Sequence, residues 1–158
     1  MSKKLAIIAT KGTLDWGYPP FILASTAAAL GYEVEIFFTF YGLQLLKKDI
    51  KVSVSPLGNP GMPMPMAMDK WFPVIGTAIP GMQSIMTMMM KSKMKNKGVA
   101  SLEELRELCL EAEVKMVACQ MTVDLFDLSP SEFIGNVEYG GAATFFEFAG
   151  QSDICLFI

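Results

Sequence analysis

The sequence predicts an α/β fold with three layers, in which helices cover both faces of a mainly parallel sheet of about five strands. Short apolar runs alternate with helical segments of about ten residues, the order that βαβ units produce. Continuous apolar runs such as LAIIAT, at 5–10, are typical of strands buried on both faces. The length of 158 residues suits a single domain that spans 1–158.

The individual elements follow from their patterns and stop signals. Strands are predicted at 5–10, 32–40, 50–55, 114–119 and 154–158, the third of them short or at an edge. Helices are predicted at 20–31, 41–48, 100–112 and 142–151, with a further helix start near Ser129. Pro20 fits a first helical turn, and Ser101 with Glu104 forms a capping box. The glycine pair in NVEYGG, at 136–141, predicts a turn.

A segment rich in methionine and proline, at about 56–98, is predicted to be an insertion on this domain. The prolines of PLGNPGMPMPMAM exclude a helix or a central strand there. The uncharged residues at 71–90 could suggest a membrane span, but prolines and glycines interrupt their first half. The rest predicts an amphipathic helix whose polar ridge contains Gln83, Thr87, Lys91 and Lys95. Such a helix would pack on the body or on another subunit, with partner docking and membrane contact as alternatives.

Composition excludes several classes of function. The chain has no histidine, which removes the Ser-His-Asp triad, the Cys-His dyad and histidine metal sites. Its three cysteines form no CxxC pair, so neither a metal centre nor a disulfide framework is expected. A net charge of −3 argues against nucleic-acid binding. The first apolar run is too short for a signal peptide, which predicts a cytoplasmic protein.

Cys119 is the candidate reactive group. It ends the apolar run VKMVAC, and reacting groups in parallel sheets gather at the carboxyl ends of strands. We expect its sulfur to be open to solvent and ionised by the N–H groups and dipole of a following helical segment. Core packing is the alternative, since free cysteines are often buried. Cys109, on a helical stripe, and Cys155, in an apolar terminal strand, are predicted to be packing residues.

The segments KGTLDWGYPPFILAS, GMPMPMAM, VKMVACQMTVDLF and EYGGAATFFEFA resemble the DsrE/DsrF/DrsH-like family, in particular its subgroup with a Met-rich insertion. The resemblance covers nearly the whole chain in the same order. It implies a flavodoxin-like or Rossmann-like fold, homo-oligomers and a role in sulfur trafficking. Relatives hold sulfane sulfur as a cysteine persulfide and pass it to small sulfur-carrier proteins. The matching cysteine here is Cys119.

The leading hypothesis is therefore a sulfurtransferase or persulfide carrier in which Cys119 takes sulfur from a rhodanese-like donor and passes it to a small carrier protein. Alternatives are a non-catalytic ligand-binding or scaffold module and a peripheral membrane protein. A nucleotide-binding redox enzyme is disfavoured because TKGTLDWG lacks phosphate-loop spacing, so no cofactor is expected. Candidate pocket residues, which solvated turns explain equally well, are Lys11, Gly12, Thr13, Asp15, Gln120, Gly140 and Gly141.

Overall fold

The computed structural model describes residues 2–55 and 79–158. The strands in these ranges are β1 (Lys4–Ala9), β2 (Glu33–Phe38), β3 (Lys115–Cys119), β4 (Val137–Gly140) and β5 (Ile154–Phe157). They form one sheet in the order β4-β3-β2-β1-β5, and every neighbouring pair is parallel. The predicted parallel α/β architecture is confirmed.

Helices lie on both faces of this sheet. They are α1 (Leu14–Ala29), α2 (Met82–Asn96), α3 (Leu102–Glu111), α4 (Gln120–Leu125) and α5 (Ala142–Ala149), with 3₁₀ helices at Phe40–Leu46 and Pro130–Glu132. The larger core joins one face to α1, α2 and α3, whereas the opposite face packs on α5. The chain adds β2, β3 and β4 on one side of β1 but β5 on the other. Because crossovers between parallel strands are right-handed, that reversal requires α5 to cross the opposite face.

Helix α1 begins at Leu14, six residues before the predicted start, so Pro19 and Pro20 lie inside the helix. Tertiary contacts fix this early turn. The N–H of Leu14 donates to Ser53 O at 2.8 Å, and the Tyr18 hydroxyl donates to Ala100 O at 3.0 Å. These contacts override the helix-breaking preference of the two prolines.

The predicted strand at 50–55 was wrong, and the predicted turn at 136–141 contains β4 instead. Residues of 50–55 find their partners outside the sheet: the N–H of Val54 donates to the Thr87 hydroxyl at 3.0 Å, and Gln83 donates to Val54 O at 2.9 Å. The four residues of β4 pair in register with Met116–Cys119 at the sheet edge. The sequence thus predicts the number of strands but not the identity of this one.

The insertion is described only from residue 79, so the prediction for 56–78 lies outside the described residues. Helix α2 confirms the predicted helix, but only part of its polar ridge faces solvent. Thr87 is buried and its hydroxyl donates to Gln83 O at 2.7 Å, while Lys91 and Lys95 are exposed. Across the described residues, no helix is both long enough and apolar enough to cross a bilayer.

Candidate functional site

Cys119 is the last residue of β3, at the carboxyl edge of the sheet. Side chains alternate between the faces of a strand, so Cys119 shares a face with Val117 and Lys115. Its sulfur belongs to the smaller core beneath α5, together with Ala6, Phe37 and Phe145. The apolar residues that precede it in β3 therefore place the thiol at the point where the buried sheet meets the loops.

The two flanks of Cys119 are set by strand register. Gly140 of β4 is its direct partner on one side. On the other side Ala118 pairs with Phe38, which brings Thr39 next to Cys119 in the following position. Thr39 keeps an extended backbone, with φ −134° and ψ 158°, so its side chain projects from the same face as the thiol.

Thr122, three residues after Cys119, completes the site. Cys119 is the N-cap residue of α4 and Thr122 is its N3 residue, the two positions that face each other in a capping box. The sulfur accepts no capping hydrogen bond in this geometry. Thr122 is fully buried, and its hydroxyl oxygen lies 3.2 Å from that of Thr39. The N–H of Phe40 donates to the same Thr122 oxygen at 3.3 Å.

The pKa of the Cys119 thiol lies below its ordinary value. Burial raises it, but the nearby donor groups, which are the hydroxyl and N–H of Thr122, the hydroxyl of Thr39 and the N–H of Met121, lower it by more. Groups of this kind favour the thiolate over the thiol. From the sequence we expect only the N–H groups and dipole of the following helix at the thiol. The two threonine hydroxyls are additional, and only Thr122 has a local signal, its N3 position in the CQMT stretch.

The expectation that the sulfur is open to solvent was wrong. Cys119 is only 6% exposed, because α5 covers this face and Phe145 packs against the same cluster as the thiol. A bulky donor therefore cannot contact the sulfur without displacing neighbouring side chains.

Phe40 carries an unusual backbone conformation beside the site. Its φ of 48° is in the left-handed region, which aromatic residues rarely adopt. Two hydrogen bonds from the N–H of Gly42, to Thr10 O at 3.1 Å and to Thr39 O at 3.0 Å, hold the turn against the end of β1. This turn fixes the Phe40 N–H toward Thr122.

The predicted pocket residues separate into two groups. Gly140 lies beside Cys119, and Gly141 follows it as the N-cap residue of α5. A side chain at Gly140 would meet the side chain of Thr144 at 2.8 Å, which explains the glycine. Gln120 begins α4 beside the thiol, but its amide donates to Asp124 at 2.7 Å and remains exposed.

The loop after β1 makes other contacts. Asp15 accepts from the hydroxyl of Ser55 at 2.9 Å and from its N–H at 3.2 Å, and Thr13 lies 3.3 Å from the same hydroxyl. Lys11 stacks on the ring of Trp16 at 3.2 Å. Gly12 packs against the Tyr41 carbonyl, so a Cβ would collide there. These contacts hold the loop and the 53–55 segment, and none of them goes to Cys119.

The other two cysteines differ in kind. Cys109 is fully buried as predicted, donates to Phe21 O at 3.4 Å, and has a pKa raised by burial to about 11. Cys155 is exposed rather than packed, because β5 is an edge strand. It stands three strand spacings from β3, roughly 14 Å at about 4.8 Å per spacing, so it cannot exchange directly with Cys119 in one chain.

No three Cys, Asp or Glu side chains converge as metal ligands among residues 2–55 and 79–158. A groove of about 370 Å³ lies between α2 and the start of α3, lined by residues such as Tyr18, Met94 and Leu102. It is on the face of the sheet opposite the thiol, so it does not serve chemistry at Cys119.

Comparisons with known proteins identify relatives of this chain. The model of the DsrE/DsrF/DrsH-like family matches residues 1–157. The chain is 80% identical over 156 residues to the sulfur carrier protein DsrE2 of Allochromatium vinosum, covering 99% of this chain and 98% of that protein. It is 34% identical over 160 residues to the uncharacterized protein YrkE of Bacillus subtilis, with coverage of 99% and 98%.

The fold also matches a solved structure. The crystal structure of the ychN protein from E. coli superposes with a TM-score of 0.57 over 100% of both chains, at 12% sequence identity. At that identity the likeness establishes the fold alone, and it agrees with the three-layer arrangement around a parallel sheet.

Proposed function

This chain belongs to the DsrE/DsrF/DrsH-like family, and from that premise we propose that it carries sulfane sulfur as a persulfide on Cys119. The relative at 80% identity is named a sulfur carrier, which supports a role in sulfur trafficking. The choice of residue rests on the position of Cys119 at the carboxyl edge of the sheet and at the start of α4, where neighbouring donor groups lower the pKa of its thiol. Cys109, with its pKa of about 11, is a poor nucleophile by comparison.

The reaction is an exchange between sulfur atoms. The Cys119 thiolate attacks the outer sulfur of a donor R–S–SH, the donor's S–S bond breaks, and its electron pair leaves as R–S⁻. The product is Cys119–S–SH, and no external oxidant is needed. An acceptor thiolate then attacks the outer sulfur, and the bond to Cys119 breaks in turn. Neither step requires a histidine base, in keeping with the composition of the chain.

The partners of this proposal are a rhodanese-like donor and a small sulfur-carrier acceptor, each presenting a reactive cysteine. Because Cys119 is only 6% exposed, docking must open the neighbouring side chains. Contact with the partner would supply both that opening and the orientation of the two sulfur atoms.

Mass spectrometry of the full chain after incubation with polysulfide tests the proposal. We expect a gain of one sulfur that maps to Cys119, disappears in Cys119→Ser, and persists in Cys109→Ser and Cys155→Ser. Cys155 is the demanding control, because its thiol is exposed. Loading that survives in Cys119→Ser would refute the assignment.

The burial of Cys119 favours a second candidate, a non-catalytic binding or scaffold module in which the thiol only packs. The rates at which iodoacetamide labels the three cysteines of one folded sample separate the two candidates. A carrier predicts that Cys119 reacts well ahead of Cys109 at pH 7. The scaffold module predicts that Cys119 and Cys109 are equally slow.

A homo-oligomer is also part of the proposal. On α2 the side chains of Ile85, Met88 and Met89 are 50%, 67% and 43% exposed. Apolar surface of this kind, rich in methionine, suits an adaptable protein interface. Light scattering on the full chain and on Met88→Lys measures the subunit number, which we expect to fall in the variant.

A further inference from the structure

We infer that the hydroxyl groups of Thr39 and Thr122 form a donor pair that stabilises the sulfur anion of Cys119 each time that the transferred sulfur leaves. The inference rests on the proposed function. It assigns to two threonines the part that a histidine plays in other thiol enzymes, and this chain contains no histidine.

The two hydroxyl groups have more protons than the contacts between them use. Each hydroxyl has one proton to donate. The two oxygens lie 3.2 Å apart, so one hydroxyl donates to the other. The Thr122 oxygen also receives the N–H of Phe40 at 3.3 Å. One hydroxyl proton of the pair is therefore left over and needs an acceptor.

The position of the pair identifies that acceptor. Register places Thr39 beside Cys119 on the same face of the sheet, and Thr122 occupies the N3 position that faces an N-cap side chain. Thr122 is fully buried, so water does not reach its hydroxyl from outside. When Thr39 donates to Thr122, the proton left over belongs to the buried Thr122 hydroxyl, and the Cys119 sulfur that faces it is the acceptor we assign. A thiolate sulfur accepts a strong hydrogen bond, whereas a thiol sulfur accepts only a weak one.

The strained turn at Phe40 gives the pair a fixed direction. The left-handed backbone of Phe40, at φ 48°, aims its N–H at Thr122. With one lone pair of the Thr122 oxygen filled by the Phe40 N–H, the other can accept the Thr39 proton, which leaves the Thr122 proton for the sulfur. Strain of this kind persists where the surrounding structure holds it, and it is frequent at functional sites.

The pair acts at a defined moment of the exchange. When an acceptor thiolate attacks the outer sulfur of Cys119–S–SH, the S–S bond breaks and the electron pair goes to the Cys119 sulfur. A sulfur that receives hydrogen bonds as it becomes an anion is a better leaving group. The threonines therefore favour release of sulfur as well as formation of the thiolate.

The test compares Thr122→Val, which removes the hydroxyl and keeps the shape, with Thr122→Ser, which keeps the hydroxyl. The pH dependence of Cys119 alkylation by iodoacetamide is followed by peptide mass spectrometry. We expect the midpoint to rise by about one pH unit in Thr122→Val, and labelling at pH 7 to slow about tenfold. Release of preloaded sulfur to glutathione should slow by a similar factor. Thr122→Ser should stay within about twofold of wild type on both measures.

Thr87→Val is the matched control, since Thr87 is also buried and hydrogen-bonded but lies on α2. It should leave the alkylation midpoint unchanged. An unshifted midpoint in a folded Thr122→Val protein overturns the inference, as does an equal shift in Thr122→Ser. Should Thr122→Val fail to fold by circular dichroism, Thr39→Val and Thr39→Ser decide by the same criteria, because Thr39 is only half-buried.

The alkylation profile reports on the thiol alone, so it distinguishes this inference from the proposed function. A shifted midpoint in a protein that takes up no sulfur would leave the donor pair standing and refute the carrier. Sulfur uptake with an unshifted midpoint would support the carrier and refute the donor pair.

Discussion

The carboxylate of Glu35 lies 3.4 Å from the ammonium group of Lys115, on the same face of the sheet as Cys119. Glu35 is fully buried, and neither of its oxygens has a hydrogen-bond donor within the described residues. Lys115 is partly exposed and divides its charge between Glu35 and Glu138, which lies 3.1 Å away. Burial raises the pKa of Glu35, and attraction to Lys115 offsets only part of that rise.

The first prediction concerns the pH dependence of stability. A carboxyl whose folded-state pKa exceeds its unfolded value favours the fold at low pH, and that contribution is lost as the pH rises through the folded-state value. When the pH is above the ordinary carboxyl pKa of 4.5, Glu35 therefore lowers the stability of the fold. We expect Glu35→Met to be more stable than wild type at pH 7 by about 1 kcal/mol, with an advantage that shrinks toward pH 4.

Urea unfolding between pH 4 and pH 7 measures this effect. Glu33→Met is the control, because Glu33 is exposed, belongs to the same strand and pairs with Lys4 at 3.1 Å. Its effect should stay below about 1 kcal/mol at every pH. A Glu35→Met protein less stable than wild type at pH 7 would mean that the ion pair with Lys115 outweighs the cost of burial.

The second prediction concerns the turn that positions Thr39 and Phe40. A Cβ on Gly42 would collide with the carbonyl oxygen of Ala9, at the end of β1. Because that neighbour is backbone, it cannot move without displacing the strand. We expect Gly42→Ala to lower the free energy of unfolding by roughly 2–4 kcal/mol. Sulfur loading of Cys119 should fall with it, because the turn that carries the Phe40 N–H is displaced.

Gly135→Ala is the matched control for that change. A Cβ at Gly135 meets no atom within 4 Å, so we expect its effect on Tm and on loading to be negligible. Equal Tm values for Gly42→Ala and wild type would show that the turn can withdraw from β1 without cost.

The place of Cys119 could be predicted from sequence because it depends on local patterns. A buried strand shows as an apolar run, and parallel strands bring their carboxyl ends to one edge. The capping box of Ser101 and Glu104 was equally local, and both of its hydrogen bonds form, at 3.1 and 2.7 Å. Features that depend on three or four neighbouring residues can be predicted without knowing which strands pair.

The donor pair was not predictable in this way. Thr39 reaches Cys119 only because Ala118 pairs with Phe38, and no pattern in either strand specifies that register. The same limit applied to β4, whose four residues end in glycine and become a strand by pairing with β3. The exposure of Cys119 depended on the crossing of α5 over the sheet, which is set by topology and not by the sequence around the thiol.

The third prediction uses Cys109 as a probe of the main core. Burial raises its pKa from 9.0 to about 11, so this group supports the fold below pH 9 and loses that contribution as the pH rises to about 11. We expect wild type to lose roughly 2 kcal/mol more than Cys109→Ala over that range. Other groups that titrate there are shared by both proteins and cancel in the difference.

Guanidinium unfolding at pH 8 and pH 11 measures the difference. At pH 8 the variant should be the less stable protein, because it loses the buried sulfur atom and its hydrogen bond to Phe21 O. At pH 11 that gap should close or reverse. Cys155→Ala, which removes an exposed thiol, should follow wild type at both pH values. A constant gap between Cys109→Ala and wild type would show that Cys109 ionises as readily in the core as in the unfolded chain.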